Sequence, residues 1–599
     1  MTLAESDRNL SGKGAGTSVL PTAALLTIGA TIAFAAVMIF WHLGLLPLLN
    51  PDEGRNASVA WDMQQAGTWL VPSYDGLPYL DKPAFFFRAV ALSLSLFGHS
   101  ETAVRLPSAL FACGTLGLVF AFCRREFDLR TATLAVAVVA STPLFFVFGR
   151  YVIFDMTLTF FVCGAIFAGY YAEAAPEVER VRWSRLSAAA MGFAMLVKGP
   201  VGFIIPVLVL AVAHIEDSRQ GAIKRLLCWQ NFVLMLAIFL PWFIGASIER
   251  HDFPYYGVMF ESVKRFTTNS AKRVQPFWFY PPVIVGTMAC WSLILPHMLY
   301  AAFERWRTLS RADRLLFIWA AVVTVFFSIS QSKLPGYVLS AVVALGILIA
   351  RRFADALELK GREWSIRSGA FLLALVAAAG TAIAARYILN ADAIDAFLRQ
   401  KYSDAPLMSA TARQVAMPLA VGFGAVTLAC LWAIGTRNVR LAFLAFAACP
   451  LLFITLGLPV LVAGEQHRSD KILASEINQH APDAEIVCYH CFPPGLSFYL
   501  GRHVTLVTDE GKNEEKGGKE IPSNYIPYML GGTKDWPPEI VKTRNFGNWL
   551  TTQKQKVFLL VPKYVATVQL ESMARARHSQ LLTLGNGTYR GLLIQPEGH

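Results

Sequence analysis

The chain has 599 residues, of which 55% are apolar and only 16% charged, with a net charge of +12 and a mean hydropathy of +0.46. A soluble globule carries roughly a quarter charged residues, so the composition excludes an ordinary soluble domain, and repeated apolar runs of about 20 residues mark a polytopic membrane protein. The positive charge is explained by loop orientation in the membrane; no nucleic-acid motif is present.

In chain order, Met1–Gly16 is polar, holds both charge signs and has no small-residue cleavage site after the following apolar run. Residues 1–19 therefore read as a cytoplasmic tail, and the run at 20–40 as a retained helix. The sequence then breaks sharply at Asn50–Pro83 (NPDEGRNASVAWDMQQAGTWLVPSYDGLPYLDKP), which packs Asp52, Glu53, Arg55, Asp62, Asp75, Asp81 and Lys82 into a short stretch. Ala84–Phe97 is interrupted by Arg88 and too short to span, so it reads as a helix on the membrane surface. Further runs lie near 103–123, 131–149, 152–172, 186–198, 200–215, 229–248, 281–301, 315–331, 335–350, 368–388, 414–434 and 441–463, for about 13 spans in all. The predicted fold class is mainly α and polytopic, with a transmembrane domain at 20–463 that carries a catalytic loop at 50–101.

Alternate short connections are rich in arginine and lysine: Arg124, Arg125, Arg130; Arg180, Arg182, Arg185; Arg219, Lys224, Arg225; Arg305, Arg307, Arg311, Arg314; Arg351, Arg352, Lys360, Arg362, Arg367; and Arg437, Arg440. Basic loops stay inside. The N-terminus is thus expected in the cytoplasm, with the Asp52 loop and the C-terminal region outside. From about Glu465, strand-like segments (EIVCYH, HVTLVTD, KVFLLVP, GLLIQ) alternate with helical ones (DKILASEINQH, VQLESMARARH), which predicts a small outer α/β domain at 464–599 with an exposed loop at Gly511–Glu520. Of nine cysteines, seven lie in or beside apolar runs as inert fillers. Cys488 and Cys491 have CxxC spacing, a weak zinc signal alone, and in an oxidising compartment the expectation is a local disulfide.

The residues with chemistry to offer gather at the outer face. Asp52 and Glu53 read either as caps of a helix at 55–66 or as a general base or metal-binding carboxylate. Asp155, at the outer start of a span, reads either as a partner of Arg150 or as a functional acid, since a carboxylate in hydrocarbon costs a few kcal/mol. Lys82, Arg265 and Lys333 fall on the outer side, where a phosphate at headgroup level, on a substrate or on a bulk lipid, accounts for them. Lys198, in LVKGP at a span junction, either snorkels or faces a lipid acceptor.

PDEGRNA after the first span, YLDKPAFFF, ETAVRLPSAL, GRYVIFD, LVKGP, ESVKRF with PFWFY, and SKLPGYVLS occur in this order over residues 20–340. In this they resemble bacterial aminoarabinose transferases of the lipid A-modifying type, and more broadly the protein-mannosyltransferase-like branch of the GT-C integral-membrane glycosyltransferases. The resemblance implies an inner-membrane enzyme that moves a sugar from a polyprenyl-phosphate donor, on the periplasmic leaflet and with inversion, to lipid A or another envelope glycolipid. It implies Asp52 and Asp155 as catalytic acids and Lys82, Arg265 and Tyr337 as the donor-phosphate group; the reading of the residues themselves adds Lys333 to that group, Lys198 toward the acceptor, and Glu53, Asp81 and Glu261 in support. A divalent metal is the one cofactor the acids admit.

The chain departs from the family where Glu261-Ser262 replaces a frequent Glu-His, and Pro83-Ala84 a frequent proline pair. These changes leave the sugar and the acceptor open. The rival readings are a protein O-mannosyltransferase-like enzyme, a lipid-linked sugar transporter and an envelope sensor. A transporter gathers polar residues at the midplane, often in two related halves; here they gather at one face and no internal repeat is visible.

Overall fold

A computed structural model describes residues 22–217, 226–268, 274–358, 364–401, 405–464, 466–509, 523, 525–531, 536–563, 581–585 and 587–595. The expected tail at 1–19, the Gly511–Glu520 loop and the helix expected at 568–578 lie outside the described residues. The first part of the chain folds into α1 (Thr22–Phe40), α2 (Asp52–Ala66), α3 (Phe85–Phe97), α4 (Glu101–Glu126), α5 (Leu129–Ser141), α6 (Pro143–Gly149), α7 (Asp155–Ala174), α8 (Glu177–Lys198) and α9 (Val201–Glu216). Apolar helices continue to Gly464.

Among the described residues, ten helices are long and apolar enough to cross a bilayer, and eleven if the bent pair α5–α6 is one span. The protein is a multi-pass membrane protein. The pair bends by 72° because Pro143 holds Thr142 extended and cannot donate to the preceding turn. The two spans by which the expected count of about 13 exceeds these are α8 and α9. The first turns of α8 are charged and α9 has only 16 residues, so neither passes on length and apolarity. Yet α8 runs antiparallel to α7 over its whole length. Ser187 donates to the carbonyl of Ala165 at mid-helix, and Lys198 at the end of α8 meets Asp155 at the start of α7.

The loop between α1 and α4 is ordered rather than extended. Helix α3 has 13 residues, buries Phe86, Phe87, Val90 and Leu94, and exposes Leu92, Leu96 and Phe97 on its other face. It is too short to span, as expected for a surface helix. A two-stranded hairpin, β1 (Ser73–Tyr74) and β2 (Leu77–Pro78), joins α2 to α3.

The C-terminal region forms a six-stranded sheet of β3 (Glu485–Tyr489), β4 (Thr505–Thr508), β5 (Ile540–Lys542), β6 (Val557–Pro562), β7 (Leu581–Leu584) and β8 (Tyr589–Ile594), in the order β5-β4-β3-β6-β8-β7. Strands β3 to β6 pair in parallel, and β8 pairs antiparallel with both β6 and β7. One apolar core unites this sheet with the loop, and includes Leu48, Ala57, Tyr74, Phe86, Leu473, Ile486 and Phe558. Gly54 on α2 and Gly495 let the two backbones touch: a Cβ on Gly54 would stand 2.8 Å from the Gly495 nitrogen. The expected disulfide does not form. Cys488 on β3 and Cys491 just after it are both buried free thiols, turned into the core, where Cys491 Sγ meets the Leu560 carbonyl at 3.6 Å.

Candidate active site

Where the loop, the ends of the spans and the C-terminal region meet, they enclose a cavity of about 880 Å³. The first turn of α2, the turn before α3, the start of α7, the end of α8, the segment 258–267, Tyr337 and residues 466–473 all contribute to its wall. Of the residues singled out by sequence, Asp52, Asp81, Lys82, Asp155, Lys198, Glu261, Arg265 and Tyr337 all line it.

Asp52 and Glu53 are neighbours with opposite surroundings. Neither caps α2 by its side chain; Pro51 occupies the N-cap. Asp52 pairs with Arg55 one turn on, at 2.5 Å, and keeps a third of its side chain exposed to the cavity. Glu53 is fully buried; it accepts hydrogen bonds from Arg105 and from the backbone N–H of Leu49 and Val152. Burial works against the charge of Arg55, but Tyr79, Asp52 and Asp81 around it hold the guanidinium above its ordinary value.

Two of the three cations that sequence placed near a phosphate converge on one carboxylate. Lys82 forms a short ion pair with Glu261, and Arg265 Nη1 donates to the same oxygen at 2.8 Å. Lys82 also donates to the carbonyl of Asp81 at 2.6 Å. Burial lowers the Lys82 ammonium against the pull of Glu261, and Arg265 beside it lowers it further. For Arg265 burial is outweighed, and Glu261, Tyr337 and Asp81 hold it above its ordinary value. Asp81 Oδ1 is fixed by Tyr256 Oη and by the Tyr525 N–H, both at 2.8 Å.

The second acid has a different partner from the one sequence offered. Asp155 pairs with Lys198, Nζ to Oδ1 2.6 Å, while Arg150 donates instead to the carbonyls of Met38 and Ile39. Lys198 lies 4.5 Å above the Tyr337 ring and 5.1 Å from Phe154, whose ring also faces Lys82 at 5.9 Å. Lys333 does not enter the cavity. It is buried and donates to the Ser330 carbonyl at 2.5 Å, holding the turn whose Ser330, Ser332 and Leu334 line the wall. Among the described residues no three His, Cys, Asp or Glu side chains converge as a ligand set, and the cavity acids Asp52, Asp155 and Glu261 are already met by cations. Those three acids therefore offer no ready-made ligand set for a divalent ion.

Residues 81–244 match the family described as dolichyl-phosphate-mannose-protein mannosyltransferase. The undecaprenyl phosphate-alpha-4-amino-4-deoxy-L-arabinose arabinosyl transferase of Serratia proteamaculans is 31% identical over 330 residues, covering 54% of this chain and 58% of that protein. Its counterpart in Aeromonas salmonicida is 30% identical over 358 residues, covering 58% and 63%. The chain spans about three fifths of the length of the curated relatives it matches. The structure superposes on ArnT from Cupriavidus metallidurans, with a TM-score of 0.76 at 25% identity for the apo crystal structure and 0.75 at 24% for the one bound to undecaprenyl phosphate. Each superposition covers 96% of this chain and 98% of the other.

The chain has the ArnT fold. The cavity wall and the groups that brace it also include residues that sequence reasoning passed over, among them Tyr256, which holds Asp81. Tyr256, one of two adjacent tyrosines in a stretch rich in aromatics, carries no signal that sets it apart. Asp470, Arg468, Phe492 and Tyr589 belong to the C-terminal region, and only the three-dimensional docking of that region brings them to the site.

Proposed function

We propose that the chain is a glycosyltransferase of the bacterial inner membrane. It transfers an aminoarabinose-type sugar from undecaprenyl phosphate to lipid A or a related envelope glycolipid, with its N-terminus in the cytoplasm and its site and C-terminal region on the periplasmic side. The observation that carries the reading is the convergence of Lys82 and Arg265 on Glu261 in the wall of the cavity. Two cations held by one displaceable carboxylate are a receptor for a phosphate, which offers more acceptor oxygens and more charge. The relatives' names and the undecaprenyl phosphate bound to ArnT point the same way, and the basic loops support the orientation.

In the reaction, the bond from the anomeric carbon to the phosphate oxygen breaks, and a bond from the acceptor oxygen to that carbon forms on the opposite face. Lys82 and Arg265 take up the charge developing on the polyprenyl phosphate. A hydroxyl acceptor gives its proton to Asp52; a phosphate acceptor is already nucleophilic, and Asp52 with Arg55 then orients it. Asp155 with Lys198 flanks the reacting centre, and Lys198 faces the acceptor. Protein O-mannosylation is the second reading, favoured by the family match over 81–244.

Mass spectrometry of envelope lipids from cells with the wild type, with Asp52→Asn and without the protein decides. A lipid A mass increase of one amino-pentose with the wild type alone is expected. An unchanged lipid A with a mannosylated envelope protein supports the second reading, and no change in any glycoconjugate refutes transfer.

A further inference from the structure

The acids of the cavity are not equivalent. Asp52 is paired with Arg55, Asp155 with Lys198, and Glu261 with Lys82 and Arg265. Asp81 has Lys82 beside it and accepts from Tyr256, Ser523 and Tyr525. Asp470 differs: it lines the same cavity and is 5% exposed, but forms no ion pair among the described residues. Its hydrogen bonds, from Asn50 Nδ2 and from the Gly495 N–H at 2.7 Å each, both fall on Oδ2. Oδ1 is left open to the cavity. Asp470 also begins the helix Lys471–His480 without giving it a side-chain cap bond, so helix capping does not account for its charge. Arg468, two residues away in the same wall, is not paired with it.

We propose that Asp470 is an ammonium-binding subsite that selects a donor whose sugar carries a primary amine; this rests on the transferase reading above. The position fits. Asn50, which donates to Asp470, is followed by Pro51 and Asp52, so the open oxygen belongs to the same corner of the cavity as the first catalytic acid. Burial pushes the Asp470 carboxyl up to about 6, and among the described residues no protein cation pairs with it. An incoming ammonium satisfies both needs: it supplies the missing counter-charge and donates to the idle oxygen. A neutral hydroxyl at that place supplies only the hydrogen bond, and the difference is a selectivity of about tenfold or more.

The test uses the full-length protein in detergent with one fixed acceptor and two donors: undecaprenyl phosphate carrying 4-amino-4-deoxy-arabinose, and the same lipid carrying arabinose, which has a hydroxyl in place of the amine. The variant is Asp470→Asn, whose amide oxygen still accepts from Asn50 and Gly495 while the charge is gone. The expected result is a wild-type kcat/KM about tenfold or more higher for the amino donor, and a variant in which that ratio falls toward one with arabinose transfer kept. An equal loss for both donors makes Asp470 a scaffold residue and overturns the proposal, as does a wild type with no preference. A defect that appears only with an ethanolamine-bearing acceptor, at an unchanged donor ratio, assigns the ammonium to the acceptor and also overturns it. A wild type that transfers neither sugar refutes the transferase reading itself, and the subsite falls with it.

Discussion

Arg105 and Glu53 are joined by two parallel hydrogen bonds of 2.8 Å, Nε to Oε1 and Nη2 to Oε2, with both side chains buried. Arg105 also donates to the carbonyls of Leu43, Leu46 and Pro47, so this one pair ties the end of the first span, the start of α2 and α4 together directly behind Asp52. Removing one member leaves an uncompensated buried charge and several orphaned carbonyls. Arg105→Leu is expected to lower stability by about 3–5 kcal/mol, read as an early thermal unfolding transition in detergent. A variant that unfolds at the wild-type temperature would show that the pair is not structural.

Asp155 and Lys198 make the opposite case, an ion pair in the cavity wall. Asp155→Asn or Lys198→Met alone strands a partly buried charge and is expected to cost both stability and transfer. The double variant removes both charges, so it should recover stability by roughly 1–3 kcal/mol over the singles while transfer stays lost. A double-mutant cycle on unfolding, run beside an activity assay, separates the two. Recovered activity in the double variant would reduce the pair to scaffolding.

These two pairs show what the sequence could and could not say. The adjacent acids Asp52 and Glu53 look alike in a linear reading, and only the packing of Arg105 from α4 separates the cavity acid from the buried strut. Arg150 is the near neighbour of Asp155 in sequence, yet Lys198 reaches it, because α8 runs back along α7. The spans, the short helix at Phe85–Phe97 and the α/β character of the C-terminal region were legible, since each rests on local periodicity. The contribution of that region to the cavity was not: Asp470, Arg468 and Tyr589 enter it through contacts more than 400 residues from Asn50 and Asp52 in some cases, and no local pattern encodes them. Lys333 carried the right charge in the right loop and turned inward to its own backbone.

Lys82, Arg265 and Glu261 yield a prediction with two signs. Lys82→Ala or Arg265→Ala each removes a charge-assisted contact and is expected to weaken binding of undecaprenyl phosphate by about tenfold or more. Glu261→Gln removes the competitor for both cations, so it should bind the phosphate more tightly while unfolding at a lower temperature without ligand. Titration of the purified variants with undecaprenyl phosphate measures the three affinities. Weaker binding by Glu261→Gln would show that the acid orients the cations rather than competing for them.

The contact between the loop and the C-terminal region is expected to respond to pH. His503 Nε2 lies 2.8 Å from Asp62 Oδ1, and its imidazole is raised above the ordinary value by the hydrogen bond to Asp62, against burial, with Asp75 and Glu539 adding to the effect. Asp75 stands in the hairpin turn with φ +53° and accepts from the Val504 N–H at 3.2 Å through Oδ1. Burial, with Asp62 nearby, pushes its carboxyl up to about 7. Both folded-state values are raised, so both contributions are present at low pH and fade with rising pH: that of Asp75 between about 4 and 7, that of His503 from about 6.5 upward through its folded value. Thermal stability in detergent is therefore expected to decline as pH rises from about 4 to 7 with Asp75, and further above about 6.5 as His503 loses its proton. Asp75→Asn keeps an acceptor for Val504, tolerates the left-handed backbone and cannot ionise, so it should flatten the Asp75 share of the decline and exceed the wild type by up to a few kcal/mol at pH 8. A variant whose stability falls with pH as steeply as the wild type would place the titrating group elsewhere.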